Sequence, residues 1–342
     1  MRNCYISACL IALLSCKFFI CSAQSIPIDS IITPSSLKVL VQSLAADSFQ
    51  GRLTGTFQAS KAALFISDAF KQAGALPIAG NDGYIMPFEI PWKTSAFNFP
   101  TPYKAQSFNV VAALAGRSKA KELVIFSAHY DHIGTESHTI RIRVKEIGEP
   151  EAGDEIYNGA NDNASGISGL IHLAQYFAKH PQRERTLIFI AFSGEEEGLL
   201  GSQKLAEAFD PKVVTAMINM DMIGRPIAAN KKYPYITGDA YSDLQKILNK
   251  KLHELMPQYG KKYFHGDSFP KEDLFKRSDN YPFAAKGIVA HTIMTSAPDD
   301  QYYHSLNDEW DKLDYSFMTE VVKAIALGTM GLVDGSETPK YK

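Results

Sequence analysis

The sequence predicts an α/β sandwich: helices flanking a mixed, mostly parallel central sheet. Two observations carry this. Short apolar runs rich in Val, Ile and Phe recur at 109–114, 122–128, 186–192, 215–220 and 287–294, as expected of strands buried on both faces. Segments with apolar residues at helical spacing lie among them, at about 164–179, 200–209 and 316–330. Strand and helix in alternation imply parallel strands joined by crossovers.

The elements follow in chain order. Met1-Arg2-Asn3 gives a positive start, residues 6–20 are apolar apart from Lys17, and Cys21-Ser22-Ala23 is a small-residue cleavage site. Residues 1–23 therefore read as a secretory signal peptide, with an exported chain, periplasmic or extracellular, starting at Gln24. The alternative is a lipoprotein anchored at Cys16, because Leu13-Leu14-Ser15-Cys16 resembles a lipobox. Residues 24–342 read as one domain. Its N-terminal helical part, about 35–72, places Leu37, Leu40, Val41 and Leu44 on one face of a first helix. Gly51-Arg52-Leu53-Thr54-Gly55 breaks the pattern, and Ala63, Ile66 and Phe70 mark a second helix. The proline- and aromatic-rich stretch 84–105 suits edge strands and loops. In the helix at 164–179, Ile167, Leu170, Ile171, Ala174 and Phe177 form the apolar face.

Composition narrows the function. The chain has 342 residues, 45% of them hydrophobic, enough for a large core, and a formal charge of −2. Such a charge gives no reason to expect nucleic acid as a partner, or a membrane unless Cys16 carries a lipid. Cys4, Cys9, Cys16 and Cys21 all lie in the leader, so the rest of the chain has no disulfide, thiolate ligand or cysteine nucleophile.

Five short stretches offer metal ligands beside small, loop-forming residues: His129 and Asp131, Asp162 in GANDNASG, Glu195 and Glu196 in GEEEGLLGS, Asp221 in NMDMIG, and His304 in YYHSLND. Imidazoles and carboxylates without thiolates suit a pair of zinc ions. Three of these stretches directly follow expected strands, where open α/β sheets bind ligands. Asp131 is placed to accept from the second ring nitrogen of His129 and fix its tautomer. Adjacent acids point in different directions, so one of the Glu195–Glu196 pair is free to ligate while the other handles a proton. The remaining histidines, His132 among them, read as ordinary.

In order and content these stretches resemble metallopeptidase family 28, co-catalytic zinc exopeptidases of clan MH, and GRLTG at 51–55 and NVVAALAG at 109–116 extend the likeness. The resemblance implies a zinc exopeptidase-like fold and two zinc ions per chain. His129 and Asp221 would bind one ion, Glu196 and His304 the other, and Asp162 both. It implies Glu195 as general base, Tyr303 as the group steadying the oxyanion, Asp131 as the acid behind His129, and peptides cut from the amino end as substrates. Two departures stand out. Many members read Ser-Asp-His-Tyr-Pro-Phe where this chain has Asn280 after Ser278-Asp279, and Leu306 replaces a common proline. Arg277, beside the first departure, is a candidate substrate contact, and residues 135–155 a candidate rim over the site. The rival readings are a single-zinc glutaminyl cyclase, an exopeptidase acting at the carboxyl end, and a transferrin-receptor-like binding module that has lost its ligands.

Overall fold

The computed structural model describes residues 27–78, 80–90, 106–138 and 153–342. The expected signal peptide with its four cysteines, most of the proline-rich stretch after β1, and residues 139–152 of the expected rim lie outside the described residues.

Seven strands form one mixed sheet: β1 (Ile85–Glu89), β2 (Gln106–Leu114), β3 (Lys119–His129), β4 (Arg185–Phe192), β5 (Val214–Met220), β6 (Tyr235–Ile236) and β7 (Ala290–Met294). Their order is β1-β2-β4-β3-β5-β7-β6. The inner strands β4, β3, β5 and β7 pair in parallel, and antiparallel β1, β2 and β6 complete the two sides. Each apolar run expected as a strand is one, although the last begins at Ala290 rather than at 287.

Side chains along the inner strands alternate between two cores, as the pleat requires. Val124, Phe126, Leu187 and Phe189 face α1 (Pro34–Leu44), α2 (Phe57–Ala73), α3 (Gly166–Lys179) and α7 (Tyr315–Gly328). Ile125, Ile188, Ile190 and Phe192 face the thinner layer that holds α4 (Leu200–Ala206) and α6 (Asn280–Ala284). On the thicker side Phe126 stacks between Phe189 and Phe177, at 5.7 and 5.4 Å, which fixes α3 on the sheet. Helix α5 (Leu244–Leu255) adds Leu244, Ile247, Leu248 and Leu252 to the same core; the sequence reading had not identified it.

The N-terminal helices are tied to the loops at the carboxyl edge of the sheet by one buried side chain. Arg52 donates to the carbonyls of Leu44, Tyr130 and Asn158, each at 2.7 Å, and of Gly159 at 3.0 Å. Among the described residues it forms no ion pair. Burial lowers its pKa to about 10, against the pull of Asp131, Asp162, Asp308 and Glu196 nearby. The guanidinium remains charged at neutral pH and offsets part of that acidic field.

Replacing this clamp strands buried carbonyls, each costing about 1–3 kcal/mol when left unpaired. Arg52→Met should therefore lower stability by on the order of 3 kcal/mol or more. Urea denaturation checks this, and an unchanged midpoint and slope would contradict it.

Candidate metal centre

The parallel strands deliver the site. His129 is the last residue of β3, Glu195 and Glu196 follow β4, and Asp221 directly follows β5. Asp162 lies in the irregular turn before α3, and His304 in the loop after β7, with positive φ of 52°. All the residues expected to ligate metal thus meet at one edge of the sheet.

Their atoms form two sets that share Asp162, and His132 also lies within reach of the second. In the first, His129 Nε2 lies 3.3 Å from Asp162 Oδ1 and 3.5 Å from Asp221 Oδ1. In the second, His304 Nε2 lies 3.3 Å from Asp162 Oδ2 and 3.0 Å from Glu196 Oε2. Donors about 2.0–2.1 Å from one tetrahedral ion sit about 3.3 Å from each other. Asp221 Oδ1 and His304 Nε2 are buried and make no hydrogen bond. Spacing and unpartnered atoms both fit two divalent ions, with one Asp162 oxygen for each. Glu195 Oε2 is 4.0 Å from His129 Nε2, too far to complete the first set and well placed to stand beside it.

Asp162 and Asp221 are held from behind. Asp308 accepts the backbone N–H groups of Asn161 and Asp162 at 3.0 Å. It is anchored in turn by Arg225 Nη1 at 2.7 Å, while Arg225 Nε bonds Asp300 at 2.8 Å. Ser278 donates to Asp221 Oδ2 at 2.7 Å. Gly159, at φ +55°, allows the turn: a Cβ there would lie 2.2 Å from the Asp162 carbonyl oxygen.

Asp131 departs from expectation. Its carboxylate is 3.8 Å from His129 Nδ1, which instead meets the Asp131 carbonyl oxygen at 3.2 Å. Three donors claim the carboxylate: Thr54 Oγ1 at 2.8 Å and the N–H groups of Glu195 and Glu196 at 3.3 Å. Asp131 therefore positions the acid pair, and the backbone orients His129. His132, read as ordinary, is a second correction: it is buried with Nδ1 2.8 Å from Glu196 Oε1.

The electrostatics follow from crowding. Burial disfavours protonated His129 and His304, but the surrounding acids outweigh it and raise both. Burial raises Glu195, reinforced by Glu196, Asp221 and Asp279 against the pull of His129. Glu196 is lowered because His304 and His132 overcome its desolvation.

A cleft opens over the acids, walled by Met222, Tyr235, Leu274 and Met294, with exposed Arg277 also lining it. Tyr303 lines it too, its ring stacked 3.9 Å from that of His304. Burial and the acids raise its pKa, so the hydroxyl keeps its proton. The described ends of the 135–155 loop pair through Thr135 and Ile156 and line a separate acidic groove that includes Glu155 and Glu309.

An α/β sheet gathering two such sets at its carboxyl edge is the framework of a metal-dependent enzyme. The chain belongs to peptidase family M28, whose family model matches residues 109–328. It is 34% identical over 137 residues to a probable zinc metalloprotease of Phaeosphaeria nodorum, covering 39% of this chain and 26% of that protein. It is 28% identical over 233 residues to a probable leucine aminopeptidase of Trichophyton verrucosum, covering 65% and 56%. The matched regions thus span from about a quarter to about half the length of these curated relatives. The fold is shared with BSAP, a zinc aminopeptidase from Bacillus subtilis, at TM-score 0.63 and 16% identity over 88% of this chain and 95% of that one. Porphyromonas gingivalis glutaminyl cyclase shares it at TM-score 0.62 and 17% identity over 90% and 99%.

Two outcomes follow. Glu195→Gln should leave metal content intact, whereas Glu196→Gln should lose close to one equivalent, measured by atomic emission; the reverse pattern would shift the assignment by one residue. Because acids hold His129 and His304 protonated in the metal-free site, metal must displace protons, so affinity should rise with pH. Calorimetry in buffers of different ionisation enthalpy should detect their release.

Proposed function

We propose that the protein is an exported, zinc-dependent aminopeptidase that holds two zinc ions and removes single residues from the amino end of peptides. The observation that carries this reading is the pair of donor sets sharing Asp162, with Glu195 beside them and unneeded as a ligand. His129, Asp162 and Asp221 would hold one ion, and Asp162, Glu196 and His304 the other. When bound, such a pair lowers the pKa of water and polarises a carbonyl.

The chain's own groups supply the rest. Glu195, raised above an ordinary carboxylate by burial and like charge, takes a proton from the attacking water and passes it to the departing amine. The protonated Tyr303 hydroxyl donates towards the oxygen where negative charge develops. Asp131 keeps the peptide units of Glu195 and Glu196 in place. The apolar wall of Met222, Leu274 and Met294 receives the first side chain of the peptide. The Glu195 carboxylate, with other acids beside the cleft, would face the free α-ammonium, which selects the amino end. Residues 24–342 are read as one catalytic domain, a reading supported by the core cluster on one face of the sheet, which draws on residues from Ile31 to Val333.

The second reading is a single-zinc glutaminyl cyclase, favoured by the shared fold of the Porphyromonas gingivalis enzyme. Two donor sets where one would suffice favour the hydrolase.

Acetylating the α-amine removes its charge and leaves buried acids unpaired, at about 1–3 kcal/mol or more. Free aminoacyl substrates should be cleaved, their acetylated forms hardly at all, and chelation should abolish turnover until zinc is returned. Mass spectrometry of peptide digests decides the end that is read. Shortening from the carboxyl end rejects the aminopeptidase, and cyclisation of N-terminal glutamine without hydrolysis establishes the cyclase.

A further inference from the structure

The carboxylates of the two donor sets follow a pattern. Asp221, which serves one set, has Oδ2 held by Ser278 at 2.7 Å while Oδ1 is buried without a hydrogen bond and faces His129 Nε2. Asp162, which serves both, has neither carboxylate oxygen bonded to a neutral donor and sends one towards each imidazole. Glu196 again serves one set. Its Oε2 faces His304 Nε2 at 3.0 Å, and its Oε1 lies 2.8 Å from His132 Nδ1. His132 thus stands to Glu196 as Ser278 stands to Asp221.

We infer that His132 is a positioning residue for the second metal set: its Nδ1–H fixes Glu196 Oε1, so that Glu196 offers Oε2 alone to the ion. The inference rests on the two-metal reading proposed above. Distance separates this role from ligation. His132 Nδ1 meets Glu196 at hydrogen-bond length, and its 3.9 Å to Asp162 Oδ2 exceeds the spacing that links the other donors. An ionised carboxylate only accepts, so the contact requires the proton on Nδ1, and a protonated nitrogen does not bind metal. The other ring nitrogen, Nε2, is buried without a hydrogen-bond partner, and the titration below separates a positioning role from ligation.

The ring is held for this purpose. It is fully buried and meets the His304 ring edge-on, 5.5 Å between centroids. The chain also leaves space for it: a Cβ on Gly159 would lie 2.5 Å from His132 Cδ2. One glycine therefore admits both the turn that carries Asp162 and the imidazole behind Glu196. Holding one oxygen keeps Glu196 from swinging to bidentate or solvent-facing rotamers and reduces the entropy lost when metal binds. Partners of this kind typically contribute 10–100-fold to metal affinity.

The test is competitive titration of the metal-free full chain with zinc against a chromophoric chelator, and with cobalt followed by its visible absorption. The second-set equivalent is identified as the one lost in Glu196→Gln. His132→Ala should bind that equivalent roughly 10–100-fold more weakly and leave the other unchanged. His132→Asn, whose amide reaches the position of Nδ1, should restore most of the affinity. Thermal unfolding of the metal-free variants shows whether each is folded before titration, and His132→Asn alone decides the matter if His132→Ala is not. Wild-type affinities in His132→Ala, or a loss in His132→Asn as large as in His132→Ala, overturn the role of His132 while the two-metal reading stands. A wild-type chain that takes a single equivalent overturns the two-metal reading, and this role with it.

Discussion

One carboxylate organises this molecule. Asp162 presents an oxygen to each of two imidazoles, one buried and one half-buried, and those imidazoles arrive from distant parts of the chain, at the end of β3 and beyond β7. Such a group has to be immobile, because a rotation that suits one set spoils the other. The fold supplies that immobility in layers. Asp308 holds the backbone on either side of the Asn161–Asp162 peptide, Arg225 holds Asp308, and Arg52 ties the carbonyls of Asn158 and Gly159 to the N-terminal helices. The packed face of Phe126, Phe177 and Phe189 fixes α3, on which the turn ends.

The same layers resolve an electrostatic problem. Asp131, Asp162, Glu195, Glu196 and Asp221 crowd one buried edge, and burying like charges together is expensive unless opposite charge is near. Arg52 and Arg225 supply part of it from the protein, neither of them touching a donor atom. The two imidazoles supply more by taking up protons. A metal binding at the same ring nitrogens would displace those protons. Glu195 stands outside both sets.

Much of this was legible in the sequence. The five inner runs are strands because β-branched and aromatic residues cluster there at strand length, and the ends of those strands located the ligands. What escaped was set by tertiary contact. Helix α5 went unread although Leu244, Ile247, Leu248 and Leu252 keep helical spacing; it lies outside the strand–helix alternation that carried the reading. Asp131 sits two residues from His129, which suggested a carboxylate–imidazole bond; the turn after β3 presents the carbonyl oxygen to the ring instead. A histidine three positions beyond a ligand carries no periodic signal, so His132 looked like any loop histidine. Arg52 gathers carbonyls from the end of α1 and from two loops, and nothing local to GRLTG announces that burial.

The central claim is that Asp162 joins two metal sets, and X-ray diffraction from zinc-loaded crystals at energies on either side of the zinc edge tests it most directly. The account predicts two anomalous peaks about 3.5–4 Å apart, the usual separation in two-metal sites, one on each oxygen of Asp162. The peak nearer Oδ1 should contact His129 and Asp221, and the peak nearer Oδ2 should contact Glu196 and His304. A single peak at full zinc occupancy, or a second peak that Asp162 does not touch, would contradict it.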